Sequence, residues 1–453
     1  MVTERYIFEY KKFRNSKISN TRRPVTMLAR TQALMLMDEE EWLAYYTITA
    51  ITLALQEEKQ FRSCWVRKWI EKRDEKGHYR NLLQELREEN PNDPKDFINF
   101  LRMTPQMYDE ILARVGPRLE KQRTRCREPI EPGLKLALTL RHLASGDTYT
   151  SLHYDWRVPV NTQSIFVPEV CQALIDEYGD ELLSPPVTPE AWKEISDDFY
   201  AKWNFPHVVG AIDGKHIAIR APGATGTSYR NYKGFFSVVM LAVVDANYKF
   251  LWVDLGARGA ASDGQIFNAS ELKECIDDGS IAFPPAEPLP FDNVDDVPYF
   301  LVGDDAFALR TTLMKPFPRR GLSLEEAIFN YRLSRVRRVS ENAFGILANR
   351  FQILLSTMRH KPENVRTLVT ACILLHNLMR TRYPSLGNNL VDYEDGNHQI
   401  IPGEWRRGRN LTDLKRCRGN RLTLAGQSQR LLLKHYINSP VGSVPWQRQM
   451  VVL

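Results

Sequence analysis

Four carboxylates fall where an apolar core or a helix start would otherwise be expected. Asp213 interrupts Val208-Val209-Gly210-Ala211-Ile212-Asp213-Gly214-Lys215-His216-Ile217, whose neighbours read as a central strand. An ionised acid there is costly unless it is paired or bound to a cation. Asp304 ends the apolar stretch Tyr299-Phe300-Leu301-Val302-Gly303 beside a second acid, Asp305, and strand ends commonly carry sites in α/β domains. Asp263 follows the small residues Gly259-Ala260-Ala261-Ser262 and begins a helix, with Ser262 and Gln265 in capping-box spacing. Glu341 lies on the edge of an apolar helix face marked by Phe344, Leu347 and Phe351, with Gly345 and Ala348 leaving space above it. Each acid also has a plainer reading: a turn or a Lys215 pair for Asp213, a solvated turn for Asp304, a helix-dipole contact for Asp263, and an i,i+4 pair with Arg337 for Glu341, worth about 0.5 kcal/mol. Taken together they are the hard oxygen ligands that a pair of Mg2+ or Mn2+ ions needs from separate elements. Such a pair activates a water or 3′-hydroxyl and stabilises the leaving oxygen in phosphodiester chemistry.

The charge around Glu341 suits that substrate. Between Lys315 and Lys361 there are ten Lys or Arg against three acids, a distribution expected of a phosphate-binding surface and alternatively of a solvated helix face. Arg332, Arg335, Arg337, Arg338 and Arg350 are the candidate phosphate contacts. Over the 453 residues the excess is only +6, too small to establish a polyanion partner by itself. A hydrophobic share of 43% with 26% charged residues excludes collagen-like, coiled-coil and wholly disordered chains. Six cysteines without a Cys-x-x-Cys pair argue against a zinc ribbon or a disulfide framework and fit a reducing compartment. With no signal-like start and no apolar run of about 18 residues, an intracellular, soluble protein is expected, with no membrane partner.

The elements that must position these acids follow from patterning. A helix is expected over residues 31–56, with a charge-dense stretch after it, then short amphipathic helices from Asp96, a basic stretch over 118–127 and a helix over Pro132 to Ser145. Thr150 to Tyr154, Val158-Pro159-Val160 and Asn161 to Ile175 can form a helix-turn-helix, although Val158 to Asp176 contains no Lys or Arg and includes Pro168. Residues 183–189, with three prolines, read as a boundary. Strands over His207–Ile219, Ser237–Asp245 and Lys249–Leu255 suggest a meander. A helix over 264–276 follows, then an acidic Pro-rich loop and the Tyr299–Gly303 strand. Ser323-Leu324-Glu325-Glu326 is a capping box opening a helix to about Met358, and Pro362–Thr381 forms another. Strands followed by helices indicate a mixed α/β domain.

An ordered set of segments resembles the PIF/Harbinger family of DDE transposases, which includes Harbinger-derived nucleases and plant ALP1-like proteins. The segments are Trp203 to His216, Asn231-Tyr232-Lys233-Gly234-Phe235-Phe236-Ser237, Phe250 to Gly256 leading to Ser262-Asp263-Gly264-Gln265-Ile266-Phe267, Leu301-Val302-Gly303-Asp304, Phe329 to Arg335, Val339 to Gly345, and Leu374-Leu375-His376-Asn377, with a weaker echo in Ser443 to Gln447. The resemblance spans roughly residues 97–382. It implies an RNase H-like catalytic domain in which Asp213, Asp263 and Glu341 form the catalytic triad and Asp304 is a further metal-binding acid. Asp305 and Arg258 depart from the family pattern.

The expected organisation is therefore α/β: a variable region over 1–95, an all-α helix-turn-helix-like domain over 96–182, a linker over 183–204, an RNase H-like nuclease domain with a mixed sheet over 205–382, and a tail over 383–453. The expected function is a Mg2+- or Mn2+-dependent endonuclease and transposase that cuts and joins transposon DNA. The alternative is a domesticated DNA- or chromatin-binding protein without turnover. The resemblance implies a nuclear protein acting on double-stranded DNA at transposon ends and target sites, with a Myb/SANT-like partner supplying targeting and room for a homo-oligomer.

Overall fold

The computed structural model describes Asp38, Glu40 and residues 42–48, 66–89, 93–123, 128–223, 225–292, 294–384, 390–414 and 422–451. The chain divides into two compact units, 1–67 and 68–453. In the first, residues 42–48 are helical and the rings of Trp42 and Tyr46 stack 5.4 Å apart. The rest of the helix expected over 31–56, and residues 124–127 of the basic stretch, lie outside the described residues.

In the second unit every described element before residue 204 is helical. After four helices of seven residues or fewer come α1 (Pro105–Leu119), α2 (Pro132–Ser145), α3 (Tyr149–Trp156), α4 (Val160–Leu182) and α5 (Pro189–Trp203). Thr104 and Thr148 cap α1 and α3 by accepting backbone N–H bonds, as short hydroxyl side chains do at helix starts. Gly146 ends α2 at φ +73°, where a Cβ would press within 3.3 Å of Gln352 O, so glycine both stops the helix and lets the backbone at Gln352 approach.

Helix α4 runs on through Pro168 and buries Phe166, Val167, Val170, Leu174 and Tyr178 against the helix Pro362–Arg382 and α1. Its outer side carries Asp176, Asp180 and Glu181 and no cation. It is therefore a packing helix and not a base-reading one. The expected linker over 183–204 is corrected as well, because its prolines occupy only the turn before α5. Trp192 and Phe199, two turns apart, bury against the sheet, and Thr188 caps the helix.

The meander is present as β1 (Val208–Ala218), β2 (Ser237–Val244) and β3 (Phe250–Arg258), all antiparallel. The helix expected over 264–276 is two short ones, α6 (Asp263–Asn268) and α7 (Glu271–Asp277). The chain breaks at Ala269, and the Ser270 hydroxyl caps α7 in preference to continuing the first helix. The later elements that build the main sheet and its helical cover are β4 (Phe300–Val302), β5 (Leu313–Met314), α8 (Leu324–Arg350), α9 (Pro362–Arg382), β6 (Thr412–Asp413) and α10 (Leu424–Asn438).

The sheet order is β3-β2-β1-β4-β5, with β4 parallel to β1 and β6 pairing antiparallel to β1 further along. The sheet is thus mixed. All eight residues of β2 are buried because both faces are covered. One face packs on α8 and α9 through Phe250, Phe344 and Val339, and the other on α6, Trp192 and Phe307. The expected tail is corrected too: β6 joins the central strand and α10 packs on α8. No helix among the described residues is long and apolar enough to cross a membrane.

Candidate metal and phosphodiester site

The site forms where β1 changes neighbours. Strand β4 pairs with β1 only as far as Ala211↔Val302, and β6 begins at Lys215↔Asp413. Asp213 lies in the gap between them. Asp304 follows two residues after the last β4 pair, and both it and Asp213 act electrostatically on Asp263. The Asp304 carboxylate also accepts the Ala306 N–H at 2.8 Å, which closes the turn after β4.

Asp263 arrives from the opposite face. Side chains alternate along a strand, so Asp213 and Lys215 point toward α8 while Gly214 faces α6. A Cβ on Gly214 would lie 2.0 Å from Asp263 Oδ1, and the missing side chain is what lets that carboxylate reach the β1 backbone. The capping box of Ser262 and Gln265 fixes Asp263 as the first residue of α6. Asp263 is 3% exposed, its Oδ1 has no hydrogen-bond partner, and its carboxyl is pushed up to about 8 by burial and then by the charges of Asp213 and Asp304.

Cations already lie among these acids. Lys215 Nζ is 2.7 Å from Asp213 Oδ2 and also bonds the Asp413 carboxylate. Burial works to lower the Lys215 pKa, but the two carboxylates outweigh it and raise the value above that of an ordinary lysine. The plainer Asp213–Lys215 pair therefore exists within the acid cluster itself.

Glu341 projects from α8 toward the same edge, in a cavity of about 200 Å3 lined by Lys215, Phe344, Trp405, Arg406 and Asp413 among others. Its described partner is Arg406, with Nη2 3.1 Å from Oε2, and not Arg337. The Trp405 indole fills the space expected above Gly345, where a Cβ would lie 2.3 Å from the ring. The structure thus brings Asp213, Asp263 and Asp304 into electrostatic contact and puts Glu341 in the adjoining cavity. Among the described residues no three His, Cys, Asp or Glu side chains form a ready cation cage. The donor set nonetheless fits hard divalent cations: it is all carboxylate oxygen, one oxygen is buried without a partner, and glycine clears its approach.

The expected phosphate face needs correction. Arg332, Arg335, Arg338 and Arg350 are all under 9% exposed. Arg332 Nη1 donates to Gln447 Oε1 at 2.7 Å and its Nη2 to Asn204 O. Arg335 binds Glu394 through two bonds of 2.7 and 2.9 Å, and Arg338 is 3.6 Å from the same acid. Arg332, Arg335 and Arg338 thereby hold the C-terminal segment onto α8. Arg337 alone of the five is partly open, beside a cavity of about 80 Å3 lined by Asp304, Asp305, Arg319, Asn330 and Ser334.

Other motif residues are clamps. Asn377 Oδ1 accepts the Phe250 N–H at 2.9 Å while its Nδ2 donates to Leu182 O and Phe250 O, joining α4, β3 and α9. Asn330 bonds both the N–H and C=O of Phe317. Sequence reasoning missed Asp392, Trp405, Arg406 and Asp413; the aromatic and basic run Trp405-Arg406-Arg407 was the only local signal for them.

Residues 212–377 match the family model described as DDE superfamily endonuclease. This RNase H-like domain contains the sheet edge and Asp213, Asp263, Asp304 and Glu341. The chain is homologous to the protein named "Putative nuclease HARBI1": it is 27% identical over 292 residues to the mouse and the human proteins, covering 63% of this chain and 74% of each relative. It is also homologous to "Protein ALP1-like" of Arabidopsis thaliana, at 24% over 294 residues, covering 63% of this chain and 71% of that protein. No solved structure matches the chain significantly. Residues 212–377 thus match a DDE superfamily endonuclease domain, within a chain homologous to proteins named as a putative nuclease and as ALP1-like.

Proposed function

We propose that this chain is a divalent-metal-dependent DNA endonuclease and strand-transferase that cuts and joins transposon DNA. The observation that carries this reading is the β1 edge, where Gly214 admits the carboxylate of Asp263, buried and unpartnered at Oδ1, within reach of the charges of Asp213 and Asp304. Asp213, Asp263, Asp304 and Glu341 would hold Mg2+ or Mn2+. When bound, such ions supply Lewis-acid activation of an attacking oxygen and neutralise charge on the leaving one.

The chain's own groups do the rest. Lys215 keeps an ammonium beside Asp213 and limits repulsion among the acids. Arg319 and Arg337, beside Asp304, are suited to fix a strand's phosphates at that edge without reading sequence. With α4 lacking cations, we further propose a Myb/SANT-like partner for targeting, action on duplex DNA in the nucleus, and a homo-oligomer that pairs two transposon ends. Cytoplasmic retention of the tagged full chain would overturn the nuclear assignment.

One observation favours a second reading, a DNA- or chromatin-binding protein without turnover: the Lys215 ammonium already occupies Asp213. Cleavage of a duplex carrying the element's own ends, with the targeting partner present and Mn2+ added, separates the two. Asp213→Asn and Glu341→Gln should each abolish cutting, because an amide supplies no anionic oxygen. Wild-type-like cutting by either variant would sink the two-metal reading, and an inactive wild type that still binds DNA would establish the second.

A further inference from the structure

We infer that Arg406 is the positioning residue for Glu341, acting from a C-terminal strap, residues 391–413, that belongs to the catalytic site. This rests on the two-metal reading above.

The guanidinium is fixed before it meets Glu341. Arg406 Nε lies 2.9 and 2.8 Å from the two oxygens of Asp392, and Nη2 lies 2.6 Å from Asp392 Oδ2. The Asp392 side chain is 0% exposed, and its Oδ1 also accepts the Gly403 N–H at 2.9 Å. The Arg406 side chain is 36% exposed, but pairing two of its nitrogens with a buried carboxylate leaves the guanidinium little freedom. From that anchor Nη2 donates to Oε2 of Glu341 at 3.1 Å.

Helix α8 is shaped to receive the strap at this point. Asn342 is fully buried, and its Oδ1 accepts the Trp405 indole N–H at 2.9 Å and the Asp392 N–H at 3.3 Å. Gly345 provides the flat seat for the same indole. Glu341, Asn342 and Gly345 therefore each contact the strap within little more than one turn. Its far end pairs as β6 with β1, where Asp413 bonds the Lys215 that bonds Asp213. One segment thus ties together the two acids that lie farthest apart in sequence. A carboxylate ligand oriented by a fixed donor binds a cation better than a free one, and losing such a donor typically costs roughly 10–100-fold in metal affinity.

The test is Mn2+ titration of the full chain without DNA, by calorimetry and by the electron paramagnetic resonance of free Mn2+. Arg406→Ala should weaken Mn2+ binding by roughly 10–100-fold, and Arg406→Lys should restore part of it. In an Glu341→Gln background Arg406→Ala should change Mn2+ affinity no further, a dependence that a purely structural role would not show. If Arg406→Ala fails to fold in melts with chelator, Arg406→Gln, which keeps an amide donor, takes its place. A folded variant that binds Mn2+ as the wild type does would overturn the inference, and so would tighter binding, which would make Arg406 a competitor of the cation. A wild type that binds no Mn2+ would overturn the two-metal reading itself and this inference with it.

Discussion

Asp263 carries the largest electrostatic burden among the acids, since its charged form is buried, unpartnered at Oδ1 and opposed by Asp213 and Asp304. Its carboxyl titrates near 8 in the fold, against about 3.9 in an unfolded chain. Between those values the native state binds the extra proton, so this residue's contribution to stability falls as pH rises and is fully lost above the folded value. Asp263→Asn escapes the penalty. Metal-free melts should show the variant gaining stability over the wild type as pH rises from about 4 to about 8, then holding a constant advantage. A variant that melts at or below the wild type at pH 8 would contradict this account. Added Mn2+ should reverse the order, stabilising only the wild type strongly.

At the scale of elements, α8 contributes Glu341 from one side and a row of buried arginines from another. Arg335→Ala would leave the half-buried Glu394 without its bidentate partner and with only Arg338 and His398, both 3.6 Å away, a loss of about 1–3 kcal/mol. The expected outcome is a lower denaturant midpoint. Arg337→Ala and Arg319→Ala should leave stability unchanged while each lowers the salt slope of duplex binding by about 0.9. Fluorescence anisotropy across a salt series, paired with chemical denaturation, checks both halves. If Arg335→Ala stays fully stable but loses salt-dependent DNA affinity, the buried arginines have been assigned to the wrong role.

At the scale of the whole second unit, the helical layer and the sheet-bearing layer share one hydrophobic core that runs from Leu83 to Ile437. His142 of α2 meets His360 of the loop before α9 with their Nε2 atoms 3.3 Å apart. Burial, and then the neighbouring imidazole, press the His142 pKa down to about 4, while burial lowers that of His360. Unfolded histidine takes a proton near 6.5, so the unfolded chain binds more protons below that value. Stability present at neutral pH is therefore lost as pH falls from about 6.5 toward 4. Calorimetry should show residues 68–453 unfolding in one transition whose midpoint declines over that window, and His142→Gln should lessen the decline. Two transitions at neutral pH would show that the layers fold as separate domains.

Local chemistry determined much of this in advance. The meander, the Ser323–Glu326 capping box and the positions of Asp213, Asp263, Asp304 and Glu341 were legible because strand alternation, capping and a carboxylate in an apolar run are short-range signals. The arginine run, the linker and the tail were misread for the opposite reason. A cation on a helix reads as solvated until its partner is known, and Glu394, Gln447 and Asn204 lie 59 to 128 residues from the arginines that they satisfy. The positions of Arg406 and Asp413 were equally hidden, since only the antiparallel return of residues 412 and 413 onto β1 sets them beside Lys215 and Glu341. The sequence determined which groups are candidates for phosphodiester chemistry. Tertiary structure decided which of them face one another, because ion pairing and close packing depend on distance in space and leave no periodicity along the chain.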